Sequence, residues 1–180
     1  MKSFFGFLWE IVKIVVIALV IVLPIRYFLF QPFFVNGQSM DPNFEDGDYL
    51  IVDELSYRLR APERGEVVVF NYPNDISQKY IKRIIGLPGE TLEIIDGKIY
   101  ITNTERKIEL DESGYLPSVY TTGTIRVNLD EEEYFVLGDN RTVSSDSRRW
   151  GTLPRKNIIG QAFFRAWPFA SLTKISAPVY

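Results

Sequence analysis

From residue 4 to residue 30 the sequence is almost wholly apolar, and no charge interrupts residues 14–25. About 20 such residues cross a bilayer as one helix. Lys13 and Arg26 stand 13 residues apart, roughly 20 Å at helical rise, and their long stems let both heads reach outward to opposite interfaces. Trp9 on one side and Tyr27 with its Phe-rich flank on the other suit interfacial belts, and Pro24 is placed to kink the exit. The run is too long for a cleavable leader, and no small-x-small site follows it. The expectation is one spanning helix, with a buried core helix or a monotopic anchor as the competing forms. Lys2 and Lys13 precede or open the run, whereas Asp41, Glu45, Asp46, Asp48, Asp53 and Glu54 follow it. That bias puts the amino terminus in the cytoplasm and the rest of the chain outside.

Past Pro42 the pattern becomes short β-type runs at 49–53, 66–71, 80–87, 91–95, 98–102, 125–129, 134–138 and 158–166. Asp96-Gly97 between two alternating runs predicts a tight hairpin, and Arg64-Gly65, Pro73-Asn74 and Pro88-Gly89 mark further turns. Residues 103–124 carry the least pattern and are expected to form long loops or a small subdomain, and residues 130–133 a solvated acidic turn. The chain therefore divides into an anchor, 1–30, and a β-rich domain, 31–180, within which 91–133 forms a small second β subdomain.

A net charge of −3 and a pI near 5.1 argue against a nucleic-acid footprint. The chain has no Cys and no His. That removes disulfides, thiolate nucleophiles, the imidazole base and the usual zinc ligands, so an activated serine needs Lys or a carboxylate beside it. No metal or organic cofactor is expected.

Three stretches carry candidate chemistry. In Gly37-Gln-Ser39-Met40-Asp-Pro42, Pro32 upstream and Pro42 bar regular helix, Gly37 permits close backbone approach, and Ser39 is delivered into a turn. An isolated serine there would simply bond its own backbone. Tyr80-Ile-Lys82-Arg83-Ile-Ile-Gly86-Leu-Pro-Gly89 sets two cations in a strand, with Tyr80, Lys82 and Ile84 on one face and Ile81, Arg83 and Ile85 on the other. Lys82 keeps apolar company, and desolvation can lower an amine's pKa from about 10.4 towards 7–8. Gly138-Asp139-Asn140-Arg141 ends a further run, and Ser144, Asp146, Arg148 and Trp150 follow. Asp146 is a bidentate match for either Arg148 or Arg83, and a hydroxyl in this loop could orient a neutral lysine.

In this order and nearly from end to end, these motifs resemble the bacterial type I signal peptidases, membrane-anchored Ser-Lys proteases that remove signal peptides from exported preproteins. The tail Arg165-Ala-Trp167-Pro168 fits as well. The resemblance implies an antiparallel, partial-barrel β domain with a small β subdomain behind one transmembrane helix. It implies Ser39 as nucleophile, Lys82 as general base and Ser144 as the hydroxyl that orients the lysine. Gly37 and the main chain of Ser39 fall where the family builds its oxyanion hole, though Gly37 offers no side-chain donor. Met40, Pro42, Arg83, Asp139, Arg141, Asp146 and Arg148 match residues that shape the site. Asn43 stands where the family usually has Thr, a change expected to affect turn geometry more than chemistry.

The short insert and single anchor resemble the Gram-positive form. The implied partners are preprotein signal peptides, the lipid bilayer and the translocation machinery. Two alternatives stand beside this: a dedicated Ser-Lys maturation peptidase, and a catalytically silent, membrane-tethered binding module.

Overall fold

The computed structural model describes residues 2–28, 30–104, 106–118, 120–178 and 180. One long helix, α1 (Lys2–Phe28), is followed among the described residues by twelve strands, with two single-turn α-helices, α2 (Ser56–Leu59) and α3 (Ser147–Trp150), between them. The strands are β1 (Phe30–Phe34), β2 (Tyr49–Asp53), β3 (Val67–Tyr72), β4 (Asp75–Gly86), β5 (Thr91–Ile95), β6 (Lys98–Thr102), β7 (Lys107–Glu109), β8 (Ile125–Asn128), β9 (Glu133–Leu137), β10 (Leu153–Pro154), β11 (Ile158–Trp167) and β12 (Thr173–Lys174). The chain is mainly antiparallel β behind an apolar helix, as the sequence pattern requires.

Within α1, the 19 residues Phe4–Val22 are apolar except for the Glu10–Lys13 ion pair, and none of them is buried. At 1.5 Å per residue they span about 28 Å, close to a bilayer's hydrocarbon core. The expected interfacial roles of Lys2, Arg26 and Tyr27, and the kink at Pro24, lie outside the residues whose side chains are described.

The larger sheet runs β1-β2-β11-β3-β4-β9-β10, with β12 added to β11. Its centre is β3, where Val67, Val68, Val69 and Phe70 are all buried. Successive side chains point to opposite faces, so this continuous apolar run feeds two cores at once. Val67 and Val69 join Met40, Phe44, Leu50, Val52 and Ile81 on one side. Val68 and Phe70 join Ile84, Tyr134, Val136 and Leu153 on the other. The smaller sheet, β7-β6-β5-β8, is built entirely from the insert. Its core continues into the larger sheet through Ile85, Phe135 and Leu137.

The hairpin at Asp96-Gly97 forms as expected, with both residues at positive φ, 50° and 81°. Five strands depart from the sequence reading, two of them the unpredicted two-residue strands β10 and β12. Phe30–Phe34 is a strand despite Pro32, because β1 lies at the sheet's edge, where a missing N–H costs no ladder bond. β4 begins at Asp75, five residues before the predicted run, through a polar half that is largely exposed. β7 adds a three-residue strand inside the stretch expected to form long loops or a small subdomain.

Candidate active site

Ser39 stands on a loop closed at its base by two backbone bonds, Val35 N–H to Asp48 C=O and Gly47 N–H to Val35 C=O, each 2.9 Å. Met40 and Phe44 are sunk into the core on either side of Pro42, and this pins the loop while Ser39 stays half-buried. Lys82 enters from the middle of β4, where β3 flanks it at Val68. Its Nζ lies 2.7 Å from Ser39 Oγ and also donates to the Ile81 carbonyl at 2.7 Å. The side chain is almost wholly buried. Burial lowers the amine's pKa to about 8, against the opposing pull of the Asp146 and Asp139 charges. Two residues 43 apart in sequence thus form a hydroxyl–amine pair of the kind that makes a serine nucleophilic without histidine.

The remaining predicted residues gather around this pair. Arg83, on the opposite face of β4, is held by Asp139 through two bonds of 2.8 and 2.6 Å, and donates to the Gly65 carbonyl. Asp146 takes the other option that the sequence left open, a bidentate pair with Arg148, 2.9 Å through each oxygen. Burial pushes the Asp146 carboxyl up, but Arg148, the Gly138 N–H and nearby Ser144 outweigh it and hold it below the usual range. Arg148 also reaches the Arg141 carbonyl, and Arg141 is buried against Glu112 and Thr121 of the insert.

Ser144 is buried in the same cluster, yet its Oγ makes no well-formed hydrogen bond, and none to Lys82 Nζ. The Gly37 N–H is committed to Asp46 Oδ1 at 2.7 Å, so Gly37 offers neither a side-chain donor nor a free main-chain one. Among the described residues, no group accepts a hydrogen bond from the Ser39 N–H.

Four residues have roles that the sequence reading did not assign, two of them, Asn43 and Gly138, having been named there for other reasons. Asn43 donates to Asp139 Oδ2 at 2.9 Å and to the Tyr115 carbonyl at 3.2 Å, which ties the Ser39 loop to the Arg83 pair and to the insert. Glu112 and Thr121 come from the patternless stretch, whose length inside a compact domain was the available signal. Gly138 is the fourth. A Cβ built there would stand 2.2 Å from Ser144 Oγ and 2.4 Å from the Ser39 carbonyl oxygen, and the adjoining Asn140 N–H bonds that same carbonyl at 3.1 Å. Gly138→Ala is expected to leave the fold assembled but to displace Ser39 and Ser144. Shifts of about 1 Å cost roughly 100-fold in rate. The check is kcat for peptide cleavage beside the thermal midpoint; unchanged kcat would refute the packing argument.

A cleft of about 660 Å³ opens over the pair, with Phe33, Gln38, Tyr80 and Val143 among its walls. β9 pairs with β4 only from Arg83 onward. The β4 edge from Asp75 to Lys82 that faces away from β3 is therefore unpaired beside the cleft.

The family model for signal peptidases, peptidase S26, matches residues 8–167. The chain belongs to this family. The protein named "Probable signal peptidase I-2" from Synechocystis is 40% identical over 166 residues, 88% of this chain and 73% of that one. The signal peptidase I of Bacillus licheniformis is 37% identical over 177 residues, 93% and 92% of the two chains. A crystal structure of a signal peptidase I from Enterococcus faecalis is 31% identical, covers 57% of this chain and 97% of its own, and has a TM-score of 0.49. Membership makes the chain a serine endopeptidase. A serine endopeptidase is not the catalytically silent binding module of the third sequence reading.

Proposed function

We propose that this signal peptidase removes amino-terminal signal peptides from exported preproteins, with Ser39 as nucleophile and Lys82 as general base. The observation that carries the residue assignment is the 2.7 Å contact between Ser39 Oγ and a buried amine of pKa about 8. Neutral Lys82 Nζ takes the Ser39 proton as Oγ attacks the scissile carbonyl. The Ser39 N–H, which has no partner among the described residues, donates to the oxyanion. The Lys82 ammonium then protonates the departing amine as the C–N bond breaks, leaving an acyl ester on Ser39. Water loses a proton to Lys82, attacks the ester, and the proton returns to Oγ as the peptide acid leaves. Ser144, whose Oγ no competing group engages well, is assigned to orient the amine. Arg83, Asp139, Arg141, Asp146 and Arg148, with Met40 and Pro42, fix the loops around it. The Gly37 side of the oxyanion site has no donor of its own and is left to solvent or substrate.

The unpaired edge of β4 suits an extended substrate that adds as a strand, with small side chains before the bond taken into the cleft beside Ser39. The apolar helix is assigned to span the membrane with the amino terminus in the cytoplasm, so that residues 31–180 are extracytoplasmic. Phe34, Trp167 and Phe169, all more than half exposed, lie at the end of β1 away from the helix, through the registers Phe34 to Tyr49 and Tyr49 to Trp167 and the ring contact of Trp167 with Phe169, and Phe34 there borders the cleft. Aromatic side chains favour the headgroup region, which supports a cleft held near the lipid surface, with the translocation machinery as the proposed source of its substrate.

The test is the full-length protein in lipid vesicles with a preprotein bearing a small-x-small site. Cleavage at that site, with an acylating probe found by mass on Ser39, is the expected result. No cleavage of any such preprotein, or a probe on another residue, would sink the assignment.

A further inference from the structure

The cleft receives one side of the scissile bond, but the substrate of an endopeptidase continues on the other. We propose that a second groove binds the first few residues of the mature chain, the leaving-amine side, and selects apolar side chains there. This rests on the signal peptidase reading above. The groove holds about 520 Å³ and its surface is mostly apolar. Pro42 forms one wall, Asn140 and Thr142 a second, and Leu116, Pro117 and Tyr120 of the insert a third.

Two features mark it as a continuation of the catalytic cleft. Its walls take up the chain where those of the cleft stop: Ser39 borders the cleft and Asp41 the groove, Val143 the cleft and Thr142 the groove. The junction between them is a fixed one, because the Asn140 N–H bonds the Ser39 carbonyl. A chain extended along the β4 edge past Ser39 therefore leaves by this groove.

The groove is also held rigid. Arg141, one residue from each of Asn140 and Thr142, is clamped by Glu112 and Thr121 of the insert. The Tyr120 ring lies against Gly97 so closely that a Cβ there would come within 2.2 Å of it. The ring is nevertheless 62% exposed, which leaves it available as a wall. A preformed apolar wall discriminates by size and polarity. The insert, which sets no side chain of its own against the Ser39–Lys82 pair, thereby acquires a role in substrate choice.

The experiment compares two substrates in the full-length protein in lipid. One is a peptide with Leu or Phe among the residues just after the cleaved bond; the other is an ester carrying only the acyl-side residues, with a small alcohol as leaving group. Ser118→Trp, at an exposed position on the groove's rim, fills it, and Tyr120→Ala removes a wall. Each is expected to lower the peptide-to-ester ratio of kcat/KM by roughly tenfold, the usual scale for an apolar pocket. An unchanged ratio in both variants overturns the groove assignment while ester hydrolysis at Ser39 upholds the peptidase reading. If the parent hydrolyses neither substrate, the peptidase reading fails and the groove with it.

Discussion

Lys82→Met is expected to abolish cleavage and, at neutral pH, to make the folded protein more stable. The two effects share a cause. Burial lowers the amine's pKa from 10.5 to about 8, and at ~1.4 kcal/mol for each tenfold this corresponds to about 3 kcal/mol. Below about pH 8 the folded and unfolded chains both carry the proton, so the cost of burying an ammonium is borne in full. Between about 8 and 10.5 the folded chain releases the proton while the unfolded chain keeps it, and the penalty fades as pH rises. Methionine has nearly the same length and no charge to desolvate. The variant should therefore gain on the order of 1–3 kcal/mol at pH 7, with the advantage shrinking above pH 8. Activity runs the other way, because only the neutral amine accepts the Ser39 proton. For the parent, kcat/KM should rise tenfold per pH step and level off near pH 8. The variant should lose roughly 10⁴-fold or more, as when a catalytic base is removed from comparable serine enzymes. Thermal midpoints from pH 6 to 10, beside kcat/KM over the same range, measure both arms. A parent profile flat through pH 8, or a variant that keeps a substantial fraction of the rate, would remove Lys82 as base.

How much of this was legible in the sequence differs between fold and site. The long apolar helix is plain from the uncharged run, and the central strands from alternation or unbroken apolar stretches. The paired φ > 0 residues of the Asp96-Gly97 hairpin follow from their identity. Phe30–Phe34 was hidden because Pro32 reads as a breaker unless one knows that the strand is an edge. The outer half of β4 was hidden because Asp75 to Lys79 offers no apolar face to alternate. For the site, motif order supplied the residues and tertiary register supplied the partners. Arg83 could as well have met Asp146 by charge alone. The β4–β9 register, which sets Arg83 opposite Leu137, brings Asp139 to Arg83 just as β9 ends. Asn43 was noticed and placed with turn geometry, yet its amide is a structural tie that charge patterning does not display.

Asp139→Ala is expected to produce the largest loss of stability in the domain, about 3–5 kcal/mol. That is the usual result of leaving one member of a buried ion pair uncompensated. Arg83 is buried, as is Asp139, and with the carboxylate gone its remaining contacts are the Gly65 carbonyl and the face of the Tyr115 ring, 4.3 Å from the guanidinium carbon. Neither neutralises it. The Asn43 amide loses an acceptor at the same moment. The double variant Arg83→Met with Asp139→Leu separates charge from geometry. If the single loss comes from a stranded cation, the double variant should recover most of the stability, since apolar replacements of a buried pair are often neutral. Activity should stay low in both, because no carboxylate then ties the Ser39 loop to β4 through Asn43. Removing Asp139 also removes one of the two charges that raise the Lys82 pKa, so whatever activity remains should level off below pH 8. Denaturation of the full cycle and the residual pH profile test this. A single variant as stable as the parent would mean that the pair is solvated in solution. A double variant that regains activity would mean that Asn43 positions nothing the reaction needs.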